Sequence, residues 1–267
     1  MDELHLKKKK LEDYLSGLES AAVAFSAGVD STFLLKEAYD VLGDNVIAIT
    51  VKLSAFPDRE LNEAETFCKA NGIRHIIVNI DCMSIDGFRD NPPDRCYHCK
   101  RAIFSEMIQE AEKNGIRNII EGSNVDDTGD YRPGLAAIAE LGIKSPLKEA
   151  GLYKADIRAL SKEIGLATWD KPSLACLATR IPYNEKITEE KLRIIDRAEQ
   201  KLFDLGFDQV RVRVHGDIAR IETDPADFSR ILEKDTASTI NSFMKGLGFR
   251  YAALDLGGYV MGSMNRN

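Results

Sequence analysis

Four short apolar runs, at residues 21–25, 45–51, 74–80 and 118–121, alternate with stretches of helical spacing over the first 165 residues. This alternation constrains the fold more than any other feature of the chain. Strands separated by helix-length segments pair in parallel, and the crossing helices cover both faces of the sheet. The helical stretches are 31–42, 60–71, 99–113 and 154–164. In the first of them Phe33, Leu34, Ala38, Val41 and Leu42 share one side. Gly72 and Gly165 suit the left-handed backbone that ends a helix. The fold class is therefore α/β with a parallel sheet, whose ligands gather at the carboxyl ends of the strands.

The pattern changes between Asp170 and Tyr183, where Pro172 and Pro182 bracket an irregular stretch containing Cys176. Thr188 then caps a helix with Glu189 and Glu190 in its first turn, running to about Leu205. Residues 209–214 and 218–222 alternate as a hairpin, 228–247 are helical in one or two pieces, and 251–256 form a last strand. This is a smaller α+β domain. We place the boundary so that residues 1–175 form the first domain and 176–267 a substrate-binding or oligomerisation domain. The four lysines at 7–10 read as a solvated helix start.

Lys and Arg total 36 against 43 Asp and Glu, a net charge of −7. Such a chain lacks the broad positive field of a nonspecific nucleic-acid binder, and no stable nucleic-acid partner is expected. No apolar run approaches the ~20 residues that span a bilayer. The opening MDELHLKKKKLEDY is too charged for a signal peptide, so a cytoplasmic protein with reduced thiols and no membrane association is expected. Five cysteines, an odd number, point to metal or redox use before a disulfide framework.

The strongest local signal is Phe25-Ser26-Ala27-Gly28-Val29-Asp30-Ser31-Thr32, which leaves the first strand and opens the first helix. Small residues let backbone N–H groups approach an anion, and the helix N-terminus adds positive dipole. Ser26, Ser31 and Thr32 offer further donors. The loop has neither the Gly-Lys-Ser/Thr of a Walker A motif nor GxGxxG. It resembles the PP-loop, SGGxDS, of ATP pyrophosphatases, which grips the pyrophosphate released from ATP. Ala27 stands where that motif has its first glycine. The added methyl leaves the loop intact unless the position needs positive φ, which would weaken nucleotide binding.

Cys96-Tyr97-His98-Cys99 lies at a helix start, where the thiolate is favoured, and Cys176 follows in the irregular stretch. Three thiolates suit zinc with His98 as fourth ligand, or an iron–sulfur cluster. His98, between the two cysteines, is placed away from a site that both share. A 4Fe-4S cluster with one open iron able to carry sulfide is the favoured reading; structural zinc and unliganded thiols stay open. Cys68 and Cys82 lie in apolar surroundings and read as core.

Further segments belong with the loop: Gly122-Ser123-Asn124-Val125-Asp126-Asp127, Asp130-Tyr131-Arg132-Pro133-Gly134, Arg180-Ile181-Pro182-Tyr183, Val210-Arg211-Val212-Arg213, Asp217-Ile218-Ala219-Arg220-Ile221-Glu222 and Leu254-Asp255-Leu256-Gly257-Gly258-Tyr259. Together they resemble the LarE family, ATP-dependent sulfur transferases of nickel-pincer cofactor synthesis, over nearly the whole chain. The resemblance implies a substrate, pyridinium-3,5-biscarboxylic acid mononucleotide, whose carboxylates become thiocarboxylates with ATP and Mg²⁺. It also implies a homo-oligomer, a hexamer. Some members sacrifice the sulfur of one cysteine. Others carry a Cys-x-x-Cys besides the later cysteine and bind a 4Fe-4S cluster; Cys96, Cys99 and Cys176 place this chain with them.

The resemblance assigns Ser26, Ala27, Gly28, Asp30 and Ser31 to ATP and magnesium, Lys100 to the α-phosphate, and Gly122 to a close approach of the nucleotide. Glu199 and Glu222 match acidic positions linked to a divalent cation or substrate. Asp126, Asp127 and Asp130 suit magnesium or a solvated loop equally. Alternation puts Arg211, Arg213 and His215 on one side of their strand, opposite Val210, Val212 and Val214. A solvated polar face is the plain reading; the resemblance makes Arg211 and Arg213, joined by Arg180, the grip on the substrate phosphate. Three competitors are a PP-loop tRNA thiolase, which needs a basic surface, an ammonia-using ligase, which needs no three thiols, and a zinc-stabilised nucleotide-binding module.

Overall fold

The computed structural model describes residues 2–129, 133–172 and 175–260. The chain divides into two compact units, Met1–Ile85 with Asp94–Leu174, and Asp86–Pro93 with Ala175–Asn267. Asp130, Tyr131 and Arg132 of the family-like segments, and Ser173 and Leu174, lie outside the described residues.

The first unit runs α1 (Glu3–Ser16), β1 (Ala21–Ala24), α2 (Val29–Leu42), β2 (Val46–Lys52), α3 (Asp58–Ala70), β3 (Arg74–Asn79), α4 (Arg95–Lys113), β4 (Ile119–Ile120), α5 (Pro133–Glu140), α6 (Pro146–Glu149) and α7 (Lys154–Glu163). Its strands lie in the order β3-β2-β1-β4, all parallel, and a single bridge joins Ile120 to Lys144. The first six residues of β2 are all buried, as a central strand covered on both faces requires. The α/β parallel sheet expected from the alternation is the observed fold. Leu11 and Leu15 of α1, Phe33, Leu34 and Leu35 of α2, and Ile157 and Leu160 of α7 share one core with Val23. The lysines of α1 are not simply solvated: Lys7 reaches Asp156 at 2.8 Å and Lys8 reaches Glu37 at 3.3 Å. Register sets Ala24 beside Ile49, so residues 25–28 leave the sheet at its carboxyl edge.

The second unit contains α8 (Glu189–Asp204), β5 (Val210–His215), β6 (Ile218–Thr223), α9 (Phe228–Ile231), α10 (Lys234–Gly246) and β7 (Tyr251–Leu254). β5 and β6 form the antiparallel hairpin, and β7 adds to β6 in parallel. Thr188 caps α8 by accepting from the Lys191 N–H at 3.2 Å. Residues 86–93, which the boundary at 175 left in the first domain, group with this unit. The reason is Asn91, fully buried at φ 54°, whose Nδ2 donates to Pro182 O at 2.7 Å and Ile181 O at 3.3 Å. Asparagine is among the few residues that tolerate such a backbone. Among the described residues no helix is long and apolar enough to cross a membrane.

Candidate active site

The loop after β1 rests on a fixed floor. Phe25 O accepts from Thr50 Oγ1 at 2.8 Å, and Thr50 Oγ1 in turn lies 2.8 Å from His75 Nε2. Burial holds His75 below its ordinary pKa, with Glu65 opposing weakly, so the ring is neutral at neutral pH. The Phe25 ring packs against Phe67 at 5.6 Å and His75 at 6.3 Å. Beyond this floor Ala27 is 2% exposed and sits at φ 54°. The position does require the left-handed backbone, which costs an L-residue about 1–2 kcal/mol. Gly28 caps α2 with extended backbone and, having no side chain, makes no cap bond to the first-turn N–H groups that suit an anion. Ser31 Oγ donates to Gly28 O at 3.3 Å and lies 3.1 Å from Ser26 Oγ. Thr32, by contrast, is 1% exposed and its Oγ1 is buried with no hydrogen-bond partner among the described residues, so it offers no donor to a surface ligand.

The strained position gives a direct expectation. Ala27→Val is expected to lower stability by about 1–3 kcal/mol, since a β-branched residue at positive φ is a true outlier. Ala27→Gly is expected to match or exceed the parent. Thermal unfolding of the two variants checks both.

Gly122 follows β4 and meets the loop from the other side. A Cβ there would stand 3.1 Å from Ser31 N and 3.2 Å from Asp30 Cβ. The space a side chain at Gly122 would need is taken by the first turn of α2. Asp30 is held by Lys154 Nζ and by Asn124 Nδ2 at 3.2 Å. Asp126 accepts from the Lys154 N–H at 2.7 Å and Asp127 from the Asn124 N–H at 2.9 Å. These two carboxylates cap and brace their loop.

Cys96 and Cys99 stand about one turn apart at the start of α4, with Cys99 8% exposed. Their spacing of three puts them on one face of the helix. Arg95 Nη2 donates to Cys96 Sγ at 3.7 Å. His98 is engaged by Asp94 at 3.3 Å and is partly exposed. Lys100 runs beneath α5: a Cβ on Gly134 would stand 2.7 Å from Lys100 Cδ. Cys68 is core, its thiol pushed up to about 12 by burial, and Cys82 is fully buried.

In the second unit Cys176 precedes a short 3-10 turn, Leu177–Arg180. Arg180 is 1% exposed and forks Glu199, Nε to Oε1 at 2.7 Å and Nη2 to Oε2 at 2.9 Å. Its Nη1 donates to Ala175 O at 3.0 Å, Cys176 O at 3.3 Å and Thr179 Oγ1 at 2.8 Å. Burial opposes the Arg180 charge, but Glu199, helped by Cys176, outweighs it and holds the guanidinium above its ordinary value. Arg213 forks Glu222 in the same way, at 3.1 and 2.9 Å, and donates to Thr179 O at 2.8 Å. Arg211 stacks over Tyr259 at 4.9 Å; burial first, then the nearby Arg180 charge, hold it below its ordinary value.

Arg211 and Arg213 do not form a solvated face: both sides of β5 are buried, because α8 packs on the strand together with the turn at Leu177–Arg180. Arg180 and Arg213 direct their forks at internal carboxylates. Glu199 and Glu222 are not open ligands for a divalent cation. Every oxygen of the two carboxylates has a donor, including the Val212 N–H on Glu199 Oε1 at 3.0 Å and Arg220 on Glu222 Oε1 at 3.0 Å.

The donor chemistry for an iron–sulfur cluster is present, since all five cysteines are free of disulfides. Two of the three candidate thiols belong to the first unit and one to the second. Among the described residues no three His, Cys, Asp or Glu side chains form a metal-holding group. Reasoning from sequence missed Lys154, Lys171, Arg158 and Asn124. Lys154 and Lys171 are ordinary lysines more than 100 positions from their partners Asp30 and Ala27, Asn124 is marked only as part of the Gly122–Asp127 segment, and the bonds of Arg158 to main-chain carbonyls carry no sequence signal.

No family model matches the chain. It is 40% identical over 266 residues to the pyridinium-3,5-bisthiocarboxylic acid mononucleotide synthase of Lactiplantibacillus plantarum, covering 99% of this chain and 96% of that one. It is likewise 40% identical over 263 residues to an uncharacterized protein of Synechocystis sp., covering 98% of both. A more distant relative is a glutamine-hydrolyzing GMP synthase chain of Thermoplasma volcanium, 25% identical over 202 residues, covering 68% of this chain and 64% of that one.

Proposed function

This chain belongs to the LarE family, that of the pyridinium-3,5-bisthiocarboxylic acid mononucleotide synthases, and from that premise we propose that it uses ATP to convert the carboxylates of pyridinium-3,5-biscarboxylic acid mononucleotide to thiocarboxylates. The observation that carries this reading is the full-length identity to the Lactiplantibacillus plantarum enzyme. The loop geometry supports it. A carboxylate accepts sulfur poorly because oxide leaves poorly, and transfer to the α-phosphorus of ATP makes AMP the leaving group.

MgATP enters as substrate. The N–H groups opening α2, with the Ser26 and Ser31 hydroxyls and Gly28, take the departing pyrophosphate. Asp30, braced by Lys154 and Asn124, shapes the loop, and Lys100 balances charge at the α-phosphate. Cys96, Cys99 and Cys176 are assigned to a 4Fe-4S cluster, which when bound supplies the transferred sulfur. Arg180, bonded to Cys176 O, holds that cysteine's backbone. A homo-hexamer belongs to the same reading and sedimentation would show it.

Anaerobically purified protein is expected to carry about four irons per chain. Cys99→Ala and Cys176→Ala are expected to lose most of them, as measured by iron and sulfide assay. Zinc in place of iron would remove the cluster from the proposal. Incubation of substrate with MgATP should yield AMP, pyrophosphate and a mass gain of sulfur for oxygen; amidation in its place would point to an ammonia-using ligase.

A further inference from the structure

The loop opening α2 has no lysine, and its one charged residue, Asp30, is negative. A triphosphate seated there needs cations from elsewhere in the chain. We infer that Lys171 is a phosphate-binding residue for the pyrophosphate part of ATP, with Lys154 neutralising Asp30 beside it. The inference rests on reading the loop as an ATP site.

Lys171 Nζ donates to Ala27 O at 2.9 Å and pairs with Glu63. The lysine side chain is 16% exposed and the glutamate 49%. The stem of Lys171 is anchored from α7: Arg158 Nη1 donates to Trp169 O at 2.7 Å and Nη2 to Lys171 O at 2.9 Å. Lys162 adds to this by lying 4.4 Å from the centroid of the Trp169 ring. The same helix begins with Lys154, the partner of Asp30. One helix and its following turn thus bring two ammonium groups to the loop, at Ala27 and at Asp30.

An ammonium has three donors. One holds the carbonyl of Ala27, the loop's left-handed residue, and keeps the loop in shape. The exposed Glu63 carboxylate contributes little and is readily exchanged. A phosphate oxygen can take its place while the Ala27 bond stays made.

The test is calorimetric titration of the full chain with MgATP and separately with AMP, which lacks the pyrophosphate. Lys171→Met is expected to weaken ATP about tenfold or more while AMP changes by less than about twofold. The salt dependence of ATP affinity should become shallower in the same variant. Glu63→Gln, on the exposed side of α3, is expected to tighten ATP about twofold and leave AMP unchanged. Equal losses for ATP and AMP in Lys171→Met, or an unmoved ATP-to-AMP ratio in both variants, would overturn the inference. Should Lys171→Met fail to fold, the direction of the Glu63→Gln effect decides it. A parent chain that binds neither nucleotide would instead overturn the ATP reading itself.

Discussion

Arg180→Met is expected to lower the unfolding free energy by about 3–5 kcal/mol, the cost of stranding a buried charge. Glu199 is 0% exposed and both its oxygens face Arg180. With the guanidinium gone, the Val212 N–H is left on that carboxylate without a matching charge. The same arginine also ties Ala175 O, Cys176 O and Thr179 Oγ1, so the turn Leu177–Arg180 loosens with it. Removing both charges in Arg180→Met/Glu199→Gln is expected to restore a large part of the loss, because the penalty lies in the unmatched ion. Urea unfolding followed by circular dichroism measures both. The single tryptophan, Trp169, lies in the first unit and is not a suitable reporter. A double variant no more stable than Arg180→Met would show that packing, not charge, carries the effect.

Gly122→Val is expected to weaken MgATP and AMP alike, about tenfold or more, because it displaces the whole loop. The Cβ position lies 3.1 Å from Ser31 N and 3.3 Å from Asp30 C, both backbone atoms of the first turn of α2. Backbone cannot swing aside as a flexible side chain can, so the turn itself must move. A stability loss of about 1–3 kcal/mol accompanies the overpacking. Gly122→Ala should fall between parent and Gly122→Val. Its pattern separates it from Lys171→Met, which is expected to spare AMP. Parent-like affinity for both nucleotides in Gly122→Val would show that the loop adapts to the added bulk.

Much of this was legible in the residues. The apolar runs marked strands β1 to β4 within a residue or two, and Thr188 marked the start of α8. The loop at Ser26–Gly28 was recognisable because its chemistry is local: small residues, a strand before, a helix after. The possibility that Ala27 needs positive φ was visible, but its angle was not, since alanine carries no turn preference of its own. The hairpin was read with the right register of sides and the wrong environment. Alternation says which residues share a face, not whether another element covers it, and here α8 and the Leu177–Arg180 turn cover β5.

The strands and the helices α2, α3, α4, α7 and α8 were determined by sequence alone, because hydrophobic period, caps and turn residues act between near neighbours, whereas the short α5 and α6 gave no such signal. Pairing of polar groups was decided only by tertiary structure. Asn91 meets Pro182 across 91 positions and Lys171 meets Ala27 across 144, and no periodicity reaches that far. Burial then sets what each pairing does: Arg180 closed on Glu199 becomes part of the core, while Lys171 beside the exposed Glu63 keeps a donor to offer.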